Sequence, residues 1–309
     1  MGKARIAYWD NLKGILIALV VLGHTGTAMG DRWLSVIYAF HMPLFVFVSG
    51  FFSRKRDNFW ESTRKLIILY LLFNTIYLLL DIIPALTGGG NILTFKRLLT
   101  PSFALWYILS LIFWRILVQL LPERAFNRSS IVIVISILLS LIVGFVPIGT
   151  PLTFQRTFVF LPFFMTGYLA RKTDLTGWLS KHRSYYAIVA FLLLAVICYL
   201  TLPVFYGSAP YESAHAIRGL FIRFIQLIIA AAMGMSLMLF APDKKSILTE
   251  LGEITLLVYL LHPPFIKLFK LALSRVGIPM NPVTAVIISA LTIFILYSVR
   301  NLRILKPLR

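Results

Sequence analysis

RIAYWDNLKGILIALVVLGHTGTAMGDRWLSVIYAFHMPLFVFVSGFFS, residues 5–53, decides the fold. It opens on a polar, basic foot (Arg5, Asp10, Lys13) and continues into an apolar run that holds His24. After a short polar turn comes a second apolar run, which begins with His41 and ends at Ser49-Gly50. Apolar runs of this length read as membrane-spanning helices. An ionisable residue inside such a span is costly and marks a functional site by default. Here two consecutive spans each carry a histidine.

Lys13 and His24 are eleven residues apart. That is almost three helical turns, so both project from one face, roughly 16 Å apart along the axis. Asp10, three residues before Lys13, shares the same side of the first turn.

The whole chain bears out the class. It is 59% hydrophobic and 13% charged, with mean hydropathy +0.88. A soluble globular chain is about 25% charged, so this reads as an all-α, polytopic membrane protein. A net charge of +19 would suggest nucleic acid on a soluble chain. Here Lys and Arg in short loops set topology instead, and no nucleic-acid partner is expected. One cysteine, Cys198, excludes a disulfide within the chain and a cysteine metal cluster. The first apolar run lacks a small-residue cleavage site and reads as a retained helix.

Working outward, apolar runs predict about ten spans, near 12–29, 36–53, 66–83, 103–121, 130–147, 157–170, 185–203, 219–240, 253–272 and 283–300. With a cytoplasmic N-terminus, nineteen basic residues fall on that side. Six fall outside: Arg32, Lys96, Arg97, Arg156, Arg218 and Arg275. The bias predicts both termini in the cytoplasm. The outer segments 84–102 and 204–218 carry Gly88-Gly89-Gly90, Pro101 and Pro210 and read as irregular loops. The expectation is a single transmembrane domain over 1–309 with no separate soluble domain. No internal repeat or matched pair of broken helices points to a carrier.

Several separated segments resemble the membrane-bound acyltransferase-3 family, in particular its sugar O-acetylases such as fucose 4-O-acetylase. They are Lys13, ten residues, then His24 in Val-Leu-Gly-His; FHMPLFVFVSGFF at 40–52; LWYILSLIF at 105–113; LPFFMTGYLARK at 161–172; and LGEITLLVYLLHPP at 251–264. The family's signature is Arg or Lys, ten residues, then His. Lys stands here where Arg is commoner, and Arg64-Lys65 stands where a pair of arginines is often found. The resemblance implies an acyl-coenzyme A donor, most simply acetyl-coenzyme A, on the cytoplasmic side. It also implies an acceptor hydroxyl on a glycan or lipid-linked sugar presented from outside.

Acyl transfer to a hydroxyl needs a base, an oxyanion stabiliser and grip on the donor. Histidine, with an ordinary pKa near 6.5, suits the base. His24 is the candidate base, with His262 the second catalytic candidate. A phosphate-rich donor calls for a basic site, which Lys13, Arg5, Arg64 and Lys65 would supply. His41, Ser49, Trp106, Arg156 and Tyr259 are candidates around the acceptor, and Asp10 would orient Lys13 or pair with Arg5. Thr255, Tyr259 and His262 share a helical face. Each has a plainer reading: a packing histidine for His24, a capped helix start with Pro43 in the first turn for His41, a polar kink for His262, an aromatic belt for Trp106-Tyr107, and a snorkelling side chain for Arg156. His182 and His215 fall in loops. No histidine in the spans has a carboxylate or second histidine at i+3 or i+4, so no metal site is expected.

The reading is thus a multi-pass plasma-membrane O-acyltransferase that modifies a surface or secreted carbohydrate. The alternative is a glycan or lipid exporter or flippase without acyl transfer; a sensor or scaffold is a further rival. Consumption of the thioester separates the first from the others.

Overall fold

The computed structural model describes residues 3–54, 59–88, 99–303 and 305; of these, the side chains of 3–6, 27, 81–88, 123 and 125 lie outside the description. The described residues form helices and no strand. The main ones are α1 (Lys3–Gly23), α2 (Asp31–Phe52), α3 (Phe59–Gly88), α4 (Trp106–Leu120) and α5 (Ser129–Ile142). There follow α6 (Phe154–Val159), α7 (Leu161–Ala170), α8 (Leu175–Lys181), α9 (Tyr186–Thr201) and α10 (Ala216–Phe240). The chain continues with α11 (Ile247–Glu253), α12 (Thr255–Arg275) and α13 (Pro282–Ser298).

Five stretches are long and apolar enough to cross a membrane: Asp31–Phe52, Phe59–Leu80, Phe103–Leu120, Ser213–Phe240 and Thr255–Arg275. The pair α8 and α9, bent by 100°, makes a sixth if it is one span. Ser129–Phe145, Leu161–Ala170 and Pro282–Ser298 are apolar but shorter. Helices cover most of each expected span, but only five or six stretches of the described residues are long and apolar enough to cross. The expected 12–29 run leaves α-helix after Gly23, and the 157–170 run is two helices that meet at Phe160, just before Pro162. Proline at the start of a helix costs no hydrogen bond, which explains a break there.

The second helix differs from expectation more usefully. It begins at Asp31 rather than near 36. Gly30 takes a positive φ of 76°, and Asp31 puts an acid in the first turn, where the helix dipole favours it. His41 and Pro43 are therefore mid-helix, not a capped start. A mid-helix proline is tolerated where neighbouring helices satisfy the freed backbone.

The contacts divide the chain into two compact units, each built from separate stretches of sequence. The first comprises 1–45, 174–205 and 226–309; the second comprises 46–173 and 206–225.

In the first unit α1 is buried along its length, with Leu12, Leu16, Ile17, Val20 and Val21 almost wholly enclosed. It lies directly against α11. A Cβ on Gly14 would run into the Leu248 carbonyl, and one on Gly252 into the carbonyl of Asp10. Such backbone proximity strands polar groups unless they are paired. Asn11, fully buried, does the pairing. Its Nδ2 donates to the carbonyls of Pro242 (2.9 Å) and Lys244 (2.7 Å). Its Oδ1 accepts from Ser246 (3.0 Å) and Thr249 (2.6 Å). An amide has two N–H groups and two lone pairs, so every position is used. Ser246 also caps α11 with Thr249 in a reciprocal box. Tyr8 donates to Met238 O (2.6 Å) and Trp9 to Thr176 Oγ1 (3.2 Å), so the foot of α1 is tied on several sides.

The second unit uses the same device. Gly50 of α2 faces the Phe164 carbonyl, and Gly167 of α7 faces that of Phe47. Ser110, Thr153 and Thr157 form a closed hydroxyl triangle at 2.9–3.0 Å. Buried Arg223 donates to Ser140 O and Ala209 O and lies 4.4 Å over the Tyr211 ring.

Asn11→Ala is expected to destabilise the protein by about 3 kcal/mol, the order set by buried groups that lose their hydrogen bonds. Asn11→Asp, which sets a buried carboxylate oxygen against two carbonyl oxygens, should cost at least as much. Denaturant unfolding in detergent measures both.

Candidate functional site: three histidines beside the first helix

His24 stands just past the last residue of α1 rather than deep within it. Its backbone N–H still reaches Val20 O at 3.1 Å, and its ring Nδ1 bonds the same carbonyl at 2.7 Å. His41 repeats the arrangement on α2, with Nδ1 to Ile37 O at 2.6 Å. So does His262 on α12, with Nδ1 to Val258 O at 2.9 Å. A carbonyl oxygen only accepts, so Nδ1 carries the proton in all three. In the neutral ring Nε2 is then a bare lone pair, the atom a general base uses.

The first unit brings these histidines together. The rings of His24 and His262 meet edge to face with centroids 4.9 Å apart. Tyr38 packs its ring against His41 at 4.8 Å and points its hydroxyl at Gly23 O (3.4 Å). Of the face expected from spacing, Tyr259 lies with its ring 6.2 Å from that of His262, and Thr255 donates to Gly252 O at 2.6 Å. His41 and His262 are fully buried, and neither Nε2 has a hydrogen-bond partner among the described residues. A buried acceptor without a donor costs about 1–3 kcal/mol. His24 is partly exposed.

The foot of the same helix is basic. Lys13 Nζ pairs with Asp10 Oδ1 at 2.7 Å. The Arg5 side chain lies outside the described residues. Lys244 and Lys245 are exposed on the loop that Asn11 anchors. Beside them Tyr8, Asp174, Thr176, Ser180, Arg183 and Asp243 line most of a cavity of about 270 Å³. Arg183 bonds Asp243 at 2.5 Å and Ala241 O at 2.6 Å, and that guanidinium holds the Asp243 carboxyl below its ordinary range. Burial pushes the Tyr8 phenol above its own.

The remaining candidates belong to the second unit. Arg64 and Lys65 are exposed on α3. The Ser49 hydroxyl bonds the Tyr107 hydroxyl. Trp106 and Tyr107 are buried, so they are not an aromatic belt facing lipid. Trp106 stacks on Phe160 at 5.4 Å and carries Arg156 at 4.8 Å over its ring. Arg156 also donates to Tyr206 O at 3.1 Å, which holds its head over that ring. His182 and His215 are exposed, as their loop positions suggest. Lys55, Arg56, Gly89, Gly90, Lys96 and Arg97 fall outside the described residues.

Sequence reasoning passed over Asn11, Tyr38 and Lys270. A lone asparagine in a basic foot and a tyrosine three residues before a histidine carry little signal. Lys270 carried one, as a cation two turns beyond His262 in an apolar helix. Among the described residues, no group of three His, Cys, Asp or Glu is placed to hold a metal ion.

Residues 6–300 match the acyltransferase domain of the acyltransferase-3 family. The "Nodulation protein NolL" of Mesorhizobium japonicum is 27% identical over 302 residues, covering 85% of this chain and 77% of that protein. The protein of the same name from Sinorhizobium fredii is 25% identical over 300 residues, covering 85% and 78%. No solved structure matches the chain. A family match over this length, on a framework of apolar helices able to cross a membrane, makes the chain a multi-pass member of the acyltransferase-3 family of membrane acyltransferases.

Proposed function

We propose that the chain moves an acyl group, most simply acetyl, from an acyl-coenzyme A to a hydroxyl of a glycan or lipid-linked sugar. The observation that carries this reading is the His24–His262 pair, whose rings meet edge to face, each held through Nδ1–H to a carbonyl one turn earlier, with the His262 Nε2 unpartnered among the described residues. Two further considerations support it. The family transfers acyl groups. The basic foot of α1, with Lys13, Lys244 and Lys245, suits a phosphate-bearing donor, whereas the far end of the helix holds the base. We place the foot in the cytoplasm of a plasma-membrane protein, with both termini inside and about ten spans, on the bias of its basic loops.

Lys13, oriented by Asp10, would hold donor phosphate. A bound donor supplies the activated thioester carbonyl. His24 Nε2 would take the proton from the acceptor hydroxyl as its oxygen attacks, then return it to the departing sulfur. His262 Nε2 would accept a hydrogen bond from the acceptor, which supplies the donor that this buried atom lacks. The same atoms allow two-step transfer with His24 as nucleophile, distinguished by label retained on the protein. His41 and Tyr259, in the same unit, would line the acceptor's path.

Purified protein in nanodiscs should consume acetyl-coenzyme A. His24→Ala should slow consumption about 100- to 10,000-fold, the usual worth of a general base. Lys13→Ala should chiefly raise KM for the donor. Glycan movement with no thioester loss overturns the reading in favour of export; full consumption by folded His24→Ala removes His24 as the base.

Carbethoxylation by diethyl pyrocarbonate, which needs a bare imidazole nitrogen, should mark His182 and His215 fastest. His24 should follow, with His41 and His262 slowest. Peptide mass spectrometry reads the order.

A further inference from the structure

Lys270 sits two turns along α12 from His262, about 12 Å by helix rise. It is half-buried, and among the described residues it makes no hydrogen bond or ion pair. A lysine in an apolar helix ordinarily snorkels to water. This one turns toward α1: a Cβ on Gly26, two residues past His24, would lie 3.7 Å from its Nζ. The ammonium therefore stands over the turn that follows the candidate base.

Its surroundings carry the same sign. The end of the first unit that holds His24 also carries Arg32, Lys267 and Arg275, against Asp31 as the acidic residue there. Arg32 is engaged with the Tyr199 ring at 5.7 Å. The unit's other acids, Asp10, Asp174, Asp243, Glu250 and Glu253, lie on its opposite end, at the foot of α1 and on the elements packed there. Basic residues on the side away from the foot run against the topological bias, so they need a different cause. An unpaired cation in a span is a functional site by default.

We propose that Lys270 binds an anionic group of the acceptor, a carboxylate or phosphate carried by the sugar. This rests on the acyl-transfer reading of the same site and narrows the substrate to acidic saccharides or sugar phosphates. With the anion held over Gly26, a neighbouring hydroxyl would be directed at His24. Lys270 is thus a specificity residue rather than a catalytic one.

The test is calorimetric binding of glucose, glucuronate and glucose 1-phosphate to the full chain in phosphatidylcholine nanodiscs. At least one of the two anionic sugars should bind tenfold or more tightly than glucose, and which one does distinguishes carboxylate from phosphate. Lys270→Gln should abolish the preference, Lys270→Arg should keep it, and Arg275→Gln should leave it unchanged. Equal affinities for all three sugars, no binding of any, or equal loss in Arg275→Gln overturns the proposal. So does a preference that phosphatidylglycerol in the disc competes away, which would make Lys270 a lipid-headgroup site. Acetyl-coenzyme A loss measured on the same samples separates the two readings. Anion preference without turnover keeps the Lys270 site and removes acyl transfer; turnover without preference does the reverse.

Discussion

Within a bundle of apolar helices every polar atom has to find its partner inside the protein, and the first unit is arranged around how α1 meets that demand. Asn11 is wholly enclosed yet uses both N–H groups and both lone pairs, on two carbonyls and two hydroxyls of the 242–249 segment. Those four bonds hold α11 so close to α1 that only glycine fits at Gly14 and Gly252. From α11 the chain passes directly into α12, so the placement of His262 against His24 follows from the same clamp.

Against that rule of full pairing, the bare Nε2 atoms of His41 and His262 stand out. Both rings are already committed through Nδ1 to their own helices, so neither can rotate to satisfy the other nitrogen without breaking a bond. The cost is the same kind that Asn11 avoids. A site that must accept a proton or a hydroxyl has a reason to carry it. Lys270 shows the complementary exception, a cation turned inward beside the same turn. The His24–His262 pair and this cation lie at one end of the unit, and the basic foot of α1 lies at the other.

Much of this was legible in the sequence. The membrane class, the helical positions, the Lys13–His24 spacing and the family followed from hydropathy, helical periodicity and separated motifs. The errors have physical causes. The start of the second helix was set too late because Asp31, Arg32 and Trp33 read as loop, whereas Gly30 and the dipole-matched acid begin a helix there. Trp106 and Tyr107 read as a lipid-facing belt because hydropathy cannot tell an outward aromatic from one stacked on Phe160. Asn11 was missed because an amide's worth depends on partners more than 230 residues away.

The sequence by itself determined the class of protein and the identity of the candidate base. A run of apolar residues has few ways to satisfy its backbone, and a histidine within it is costly wherever it points. The tertiary structure alone decided which histidines meet, that the Nε2 atoms of His41 and His262 stay unpartnered, and which lysine turns inward. Those outcomes depend on contacts between segments far apart in the chain, and no local pattern encodes the distance from His24 to His262.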